Sequence, residues 1–275
     1  MNTPQSPIDT PENWDAASQG YAQKIAPFMM ELFADEFVDQ LQVHDGHEAV
    51  EVAAGSGALT LTLARNVGQL LVTDFSPNML KINETRCAQA GIGNASFREM
   101  NGQALELADA SMDRAACSFG LMLFPDRESG FSELKRVLRP KGRAFVSGWA
   151  GPDRFEAFSL FIQSIQRALP NLERPSTPPP IFSLANLNSF KVQMEAAGFK
   201  RVEVGYATRE VQVAQPEDLW AMLTVGAPPV KMLFNQIGEE GKGEVHDALM
   251  EILKERYGNG RITLSNTATY ATGNV

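Results

Sequence analysis

Cysteine, histidine and long apolar runs are all scarce in this 275-residue chain. The two cysteines, Cys87 and Cys117, fall in a predicted helix and a predicted strand and lack metal-ligand spacing. They read as reduced packing residues, not a disulfide. The three histidines, His44, His47 and His246, form no ligand cluster with Asp or Glu, so no metal site is expected. No stretch approaches the ~20 apolar residues that span a bilayer. Met1 to Glu12 is polar and proline-rich, without the apolar core of a signal peptide. The expectation is a cytoplasmic protein with no integral membrane segment. Positive charge is also short: the formal net charge is −9. The one basic cluster, Lys135, Arg136, Arg139, Lys141 and Arg143, reads as a solvated surface. Nucleic acid needs a basic face, because phosphate neutralisation supplies much of the affinity, and is not expected as a partner.

What is present is a glycine turn between a strand and a helix. Ala49 to Ala53 reads as a short buried strand, and Leu59 to Arg65 as the helix that follows. Gly55 and Gly57 lie between them, where backbone approaches a ligand closely. A second apolar strand, Gln69 to Asp74, ends in a carboxylate that can accept both hydroxyls of a ribose lying across the turn. A nucleoside-containing ligand is implied.

The same stretch argues against a dinucleotide. That fingerprint wants a third glycine, where this chain has Thr60, and a diphosphate on the helix N-terminus. Glu51, inside the strand, would repel a diphosphate but suits an ammonium group. S-adenosyl-L-methionine has an ammonium, a ribose and no phosphate. Ala49 to Gly57 resembles the first motif of class I S-adenosylmethionine-dependent methyltransferases, and Asp74 the acidic end of their second strand. Ala53 stands where the family usually has its first glycine, adding a methyl where backbone meets ligand.

Three further segments extend the resemblance in order. Phe97 to Leu107 is similar to the family's third-strand segment beside the adenine, with Asn101 in place of the usual Asp; it could still hydrogen-bond the adenine amino group. Ser111 to Met122 resembles the fourth strand and its turn, and Glu133 to Val146 the helix, turn and fifth strand. Over residues 14–213 the pattern most resembles the ubiquinone/menaquinone-biosynthesis (methyltransferase type 11) branch. The resemblance implies S-adenosyl-L-methionine as cofactor and S-adenosyl-L-homocysteine as product. It places Tyr21, Glu51, Ala53, Ala54, Gly55, Ser56, Gly57, Asp74, Phe75, Met79, Asn101, Gly102, Gln103, Ser118 and Phe119 at the cofactor. It also implies a small-molecule acceptor, a quinone precursor or secondary metabolite.

Strands expected near 49–53, 69–74, 94–98, 113–118 and 143–149 alternate with helices, which implies an α/β, Rossmann-like, mostly parallel sheet covered on both faces. Gly55, Asp74, Asn101 and Ser118 each follow or end a strand, so all four should line one crevice. The expected division is an N-terminal helical cap at 1–48, a binding core at 49–150, a lid or substrate insertion at 151–182, and the rest of the core at 183–275. Within that last part a strand over 202–213, a helical insertion at 216–257 and an antiparallel seventh strand over 261–272 complete seven strands. Ser183 to Ala197 reads as a helix stopped by Gly198. In the cap, Trp14 and Tyr21 either touch the cofactor or pack on the sheet.

Methyl transfer from a sulfonium is an in-line displacement in which alignment and exclusion of water are the protein's main tasks. His44 and His47 precede the first strand, at the end of the sheet away from the crevice. No G-x-S-x-G surrounds Ser56, and neither Asn/Asp-Pro-Pro-Tyr nor Pro-Cys is present, so hydrolase and base-methylating chemistry lack support. No catalytic base is assigned. Phe119, Met122, Phe124, Trp149, Phe155 and Phe158 are candidate pocket walls, and 16 phenylalanines against four tyrosines suit an apolar acceptor. A catalytically silent cofactor-binding protein is the alternative. A homodimer is possible.

Overall fold

The structure, a computed structural model, describes residues 10–173, 179–224, 228–258 and 260–275. Pro175 and Pro178 of the expected insertion lie outside the described residues. Seven strands form one sheet: β1 Glu48–Val52, β2 Gln69–Asp74, β3 Ala95–Glu99, β4 Met112–Cys117, β5 Leu138–Trp149, β6 Lys200–Val213 and β7 Ile262–Asn274, in the order β3-β2-β1-β4-β5-β7-β6. β1 to β5 pair in parallel, and β7 runs antiparallel to both β5 and β6. This is the expected Rossmann-like α/β sheet. β1 is buried from Ala49 to Val52, the pattern of a strand covered on both faces.

The helices are α1 Pro11–Gly20, α2 Ala26–Met29, α3 Ala34–Leu41, α4 Thr60–Ala64, α5 Pro77–Gln89, α6 Arg127–Arg136, α7 Glu156–Ala168, α8 Leu187–Ala196, α9 Pro216–Thr224 and α10 Pro228–Tyr257. A π-helical turn, Tyr21–Ile25, joins α1 to α2. Alternation along β5 shows the two covered faces. Phe145 packs on Phe37 of α3, ring centroids 4.7 Å apart. Gly148, of opposite parity, lies under Leu184 just before α8. α4 touches both α3 and α5 in one layer, and α6 touches α8 in the other, where Phe131 meets Phe190.

Departures from expectation have local causes. β5 begins at Leu138, not 143, because the Pro140–Gly142 turn is absorbed as an irregularity of its pairing with β4, with Lys141 left-handed at φ 72°. α8 starts four residues late because the Asn186 side chain accepts from Ser189 N–H and caps it there. Gly198 stops it as expected, at φ 89°. Among the described residues the expected 216–257 insertion holds α9 and α10, the latter broken at Gly238. The basic cluster is only in part the solvated surface it was read as, with Lys141 exposed and the arginines engaged. Arg136 pairs with Glu133 and Asp109, Arg139 with Glu48 and Asp113, and Arg143 is buried.

Candidate functional site

The loops after β1, β2, β3 and β4 converge at one end of the sheet because parallel strands deliver all their carboxyl ends to the same edge. The β1 loop is held to the β2 loop by Asp74: Gly55 N–H donates to its Oδ2 at 2.8 Å, and Ser76 N–H to its Oδ1 at 2.9 Å. Ala53 and Gly55 are both left-handed, at φ 53°. Asp74 is buried, and desolvation raises its carboxyl to about 6, with the backbone hydrogen bonds opposing.

Behind this loop lies a buried polar chain. Thr60 Oγ1 donates to Glu51 Oε2 at 2.6 Å, and Asn83 Nδ2 donates to Thr60 Oγ1 at 2.8 Å. Burial pushes the Glu51 carboxyl up to about 8, against the lowering effect of the Thr60 bond. Gly57 is tied to the same chain, since a Cβ there would sit 2.6 Å from Asn83 Oδ1. Glu51 and Gly57 therefore support the loop from beneath and do not reach the cavity wall.

A cavity of about 1450 Å³ opens in front of the loops. Of the residues assigned to the cofactor from sequence, thirteen line it: Tyr21, Ala53, Ala54, Gly55, Ser56, Asp74, Phe75, Met79, Asn101, Gly102, Gln103, Ser118 and Phe119. The Ser56 hydroxyl is buried without a partner. Asn101 Oδ1 accepts from Gln103 N–H at 2.9 Å and from Gln103 Nε2 at 3.3 Å, which uses both its lone pairs and leaves the amide N–H groups free to donate. Ser118 Oγ lies 3.1 Å from Ser147 Oγ, and Phe119 N–H donates to the same Ser147 oxygen at 3.1 Å.

Beyond Phe119 the walls turn apolar. Trp149 stacks on Phe155 with ring centroids 4.2 Å apart, and Phe158 meets Phe182 edge-on at 4.9 Å. All six apolar wall residues expected from sequence are in place, joined by Ile162, Phe182, Met222 and Leu233 from α7, the segment before α8, α9 and α10. These last were not legible, because which face of a helix meets a cavity depends on the neighbour that packs against its other side. Trp14 and Tyr21 of the cap also line the cavity, rings 5.7 Å apart. Among the described residues no Lys, Arg or His lines it; its titratable side chains are Tyr21, Asp74, Glu99, Glu106 and Glu173. His47 sits at the far end, its carbonyl accepting from Gly68 N–H where β2 begins. No metal-ligating group of three forms among the described residues.

Residues 25–172 match the ubiE/COQ5 methyltransferase family. The chain belongs to that family. The match contains the glycine turn, Asp74, Asn101 and Ser118, and agrees with the resemblance read from those motifs. An uncharacterized protein of Mycobacterium tuberculosis is 36% identical over 104 residues, 38% of each chain. A ubiquinone/menaquinone biosynthesis C-methyltransferase of a Marinomonas species is 31% identical over 137 residues, 48% of this chain and 55% of that one. The aligned stretch thus spans about half or less of these curated relatives. In fold, the chain is similar to Haemonchus contortus phosphoethanolamine N-methyltransferase 2, solved in complex with S-adenosyl-L-methionine. The TM-score is 0.56 at 15% identity, over 96% of this chain and 57% of that one. Among the described residues no helix is long and apolar enough to cross a membrane.

Proposed function

We propose that this ubiE/COQ5-family chain moves the methyl group of S-adenosyl-L-methionine to an uncharged, largely apolar small molecule such as a quinone precursor or secondary metabolite, leaving S-adenosyl-L-homocysteine. One observation carries the reading: a single cavity joins the polar ends of β1 to β4 to an apolar chamber under α7. Pockets for one ligand run to roughly 1,000 Å³. This cavity exceeds that, with room for donor and acceptor together.

When bound, S-adenosylmethionine supplies an activated methyl on a sulfonium. The Asp74 carboxyl, held by backbone N–H groups of both loops, lines the cavity at the β2 end, which suits the ribose hydroxyls. Asn101 presents N–H donors, fitting a ring nitrogen of adenine better than the amino group expected from sequence. Ala54 to Ser56, Phe75, Met79, Gly102 and Gln103 form the remaining walls around the nucleoside, with Tyr21, Ser118 and Phe119 towards the amino-acid end. Glu51 acts from beneath, as a support of the glycine turn through Thr60, and not on the cofactor's ammonium as read from sequence. The aromatic walls hold the acceptor in line and exclude water, so the rate comes from proximity. Cytoplasmic placement fits two buried, unpaired cysteines. A homodimer belongs to the same reading, with exposed Phe28 and Leu32 as surface to cover.

Saturating S-adenosylmethionine should raise the melting temperature while NADH leaves it unchanged. Incubation with small-molecule extracts should then yield S-adenosylhomocysteine. Ala53 and Asn101, which stand where the family usually has glycine and aspartate, leave room for a second reading, a catalytically silent cofactor-binding protein. Stabilisation without turnover on any extract would select it.

A further inference from the structure

Two polar clasps join the N-terminal cap to the two loops that line the nucleoside end of the cavity, and the reaction scheme above uses neither. In the first, Asp15 of α1 accepts from the Ser76 hydroxyl and, at 3.1 Å, from Asn78 N–H at the start of α5. Ser76 is fully buried, and its own N–H donates to Asp74. One residue thus holds the carboxylate assigned to the ribose with its backbone and the cap with its side chain. In the second clasp, Arg86 of α5 donates from Nη1 to the Ser56 carbonyl at 2.8 Å and from Nη2 to Glu31 Oε1 at 2.8 Å. Glu31 follows α2, so this guanidinium ties the glycine turn to the other half of the cap.

Between the clasped points lie Tyr21, Ile25, Met29 and Met30 of the cavity wall, and Pro11 and Trp14 of the same wall come just before Asp15. The chain there makes the π-helical turn Tyr21–Ile25, a register of backbone hydrogen bonding that seldom persists unless neighbouring contacts over-determine it. α1 has no side-chain N-cap, and Ser18 is its one buried residue.

We propose that Asp15 and Arg86 are positioning residues that latch the cap over the bound cofactor, so that the cofactor's residence is set by release of these clasps. The proposal rests on the donor reading above. Asp15 and Ser76 act together as a closure whose partner at Asp74 is the ribose-binding carboxylate, and Arg86 does the same for the glycine turn. Acquisition of the ligand proceeds with the cap open; its loss waits for the clasps to part.

Asp15→Ala tests this in the full chain, with S-adenosylhomocysteine as the probe and Trp14 fluorescence as a reporter. A charge-assisted clasp of this kind corresponds to roughly a tenfold change in an equilibrium or rate. The variant is expected to release S-adenosylhomocysteine about tenfold faster, with association changed less than about twofold. Asp15→Asn, which keeps an acceptor for Ser76 and Asn78, should restore most of the slow release. Arg86→Gln should speed release similarly. In the ligand-free protein, amides of residues 11–25 should exchange faster in Asp15→Ala while those of β1 and β2 keep their protection. Release within twofold of the unmodified protein overturns the latch, as does unchanged exchange at 11–25. If the unmodified protein takes up no S-adenosylhomocysteine, it is the donor reading that fails, and the exchange comparison alone still decides the clasp.

Discussion

The methyl of Ala53 occupies the space that glycine leaves open at position 120: a Cβ built on Gly120 would lie 2.6 Å from Ala53 Cβ. The alanine that replaces the family's usual first glycine therefore directs its side chain at Gly120, and a small residue there is the compensation. Gly120→Ala should lose about 1–3 kcal/mol in urea denaturation, the usual cost of overpacking. Ala53→Gly alone should stay within about 1 kcal/mol of wild type, since relief of left-handed strain opposes the lost contact. The double variant should recover part of the Gly120→Ala loss, giving a coupling of about 0.5–3 kcal/mol. Strict additivity would show that the two positions do not share this space.

Asp74 has a structural task besides its proposed one, because Gly55 N–H and Ser76 N–H both donate to it. Asp74→Ala should weaken S-adenosylhomocysteine binding by tenfold or more, as lost charge-assisted bonds do. Calorimetry on the folded variant decides it. Unchanged affinity would remove the ribose assignment.

Stability of the ligand-free protein should fall as pH rises from about 4.5 to 8. Glu51 is raised from 4.5 to about 8, first by burial, and Asp74 from 3.8 to about 6 by the same cause. A raised carboxyl favours the folded state in its neutral form, so that contribution is complete below the unfolded pKa and is lost as pH climbs through the folded one. Glu51→Gln keeps an acceptor for Thr60 and removes the titration. Its melting temperature should vary less between pH 5 and 8 than that of the wild type. Parallel pH profiles for the two would exclude Glu51 as the source.

Arg143 separates the buried part of the basic cluster from its surface. Its guanidinium donates to Gln40 O at 2.9 Å and Thr272 Oγ1 at 2.7 Å, and meets Glu203 at 3.2 Å, with only 7% of its side chain exposed. Arg143→Ala should cost about 2–3 kcal/mol, the range for hydrogen bonds to a charged group. Lys141→Ala, on the exposed neighbour, should fall within about 0.5 kcal/mol of wild type. Equal effects in thermal denaturation would mean that the buried network contributes nothing.

How far the chain was legible follows the range of the signals. Strand existence, order of motifs and the convergence of Gly55, Asp74, Asn101 and Ser118 were readable, because short continuous apolar runs, turn chemistry and parallel alternation act over a few residues and fix which end of a strand carries a loop. Asn186 as the cap of α8 was present in the sequence as well, yet competed with an apolar stretch that extended the helix on paper. The support beneath the glycine turn was not readable. Asn83 and Arg86 look like ordinary polar positions of a helix until α5 folds back beside the turn.

The sequence by itself determined the parallel αβ order and the carboxylate and glycines at the strand ends, since those depend on local periodicity and backbone conformation. Only the tertiary structure decided that Glu51 and Gly57 lie behind the loop, that Arg143 is buried, and that a helical cap is clasped through Asp15 and Arg86. These are contacts between segments far apart in the chain. Which polar side chain loses its water is set by the packing of whole layers, and that is a property no local window contains.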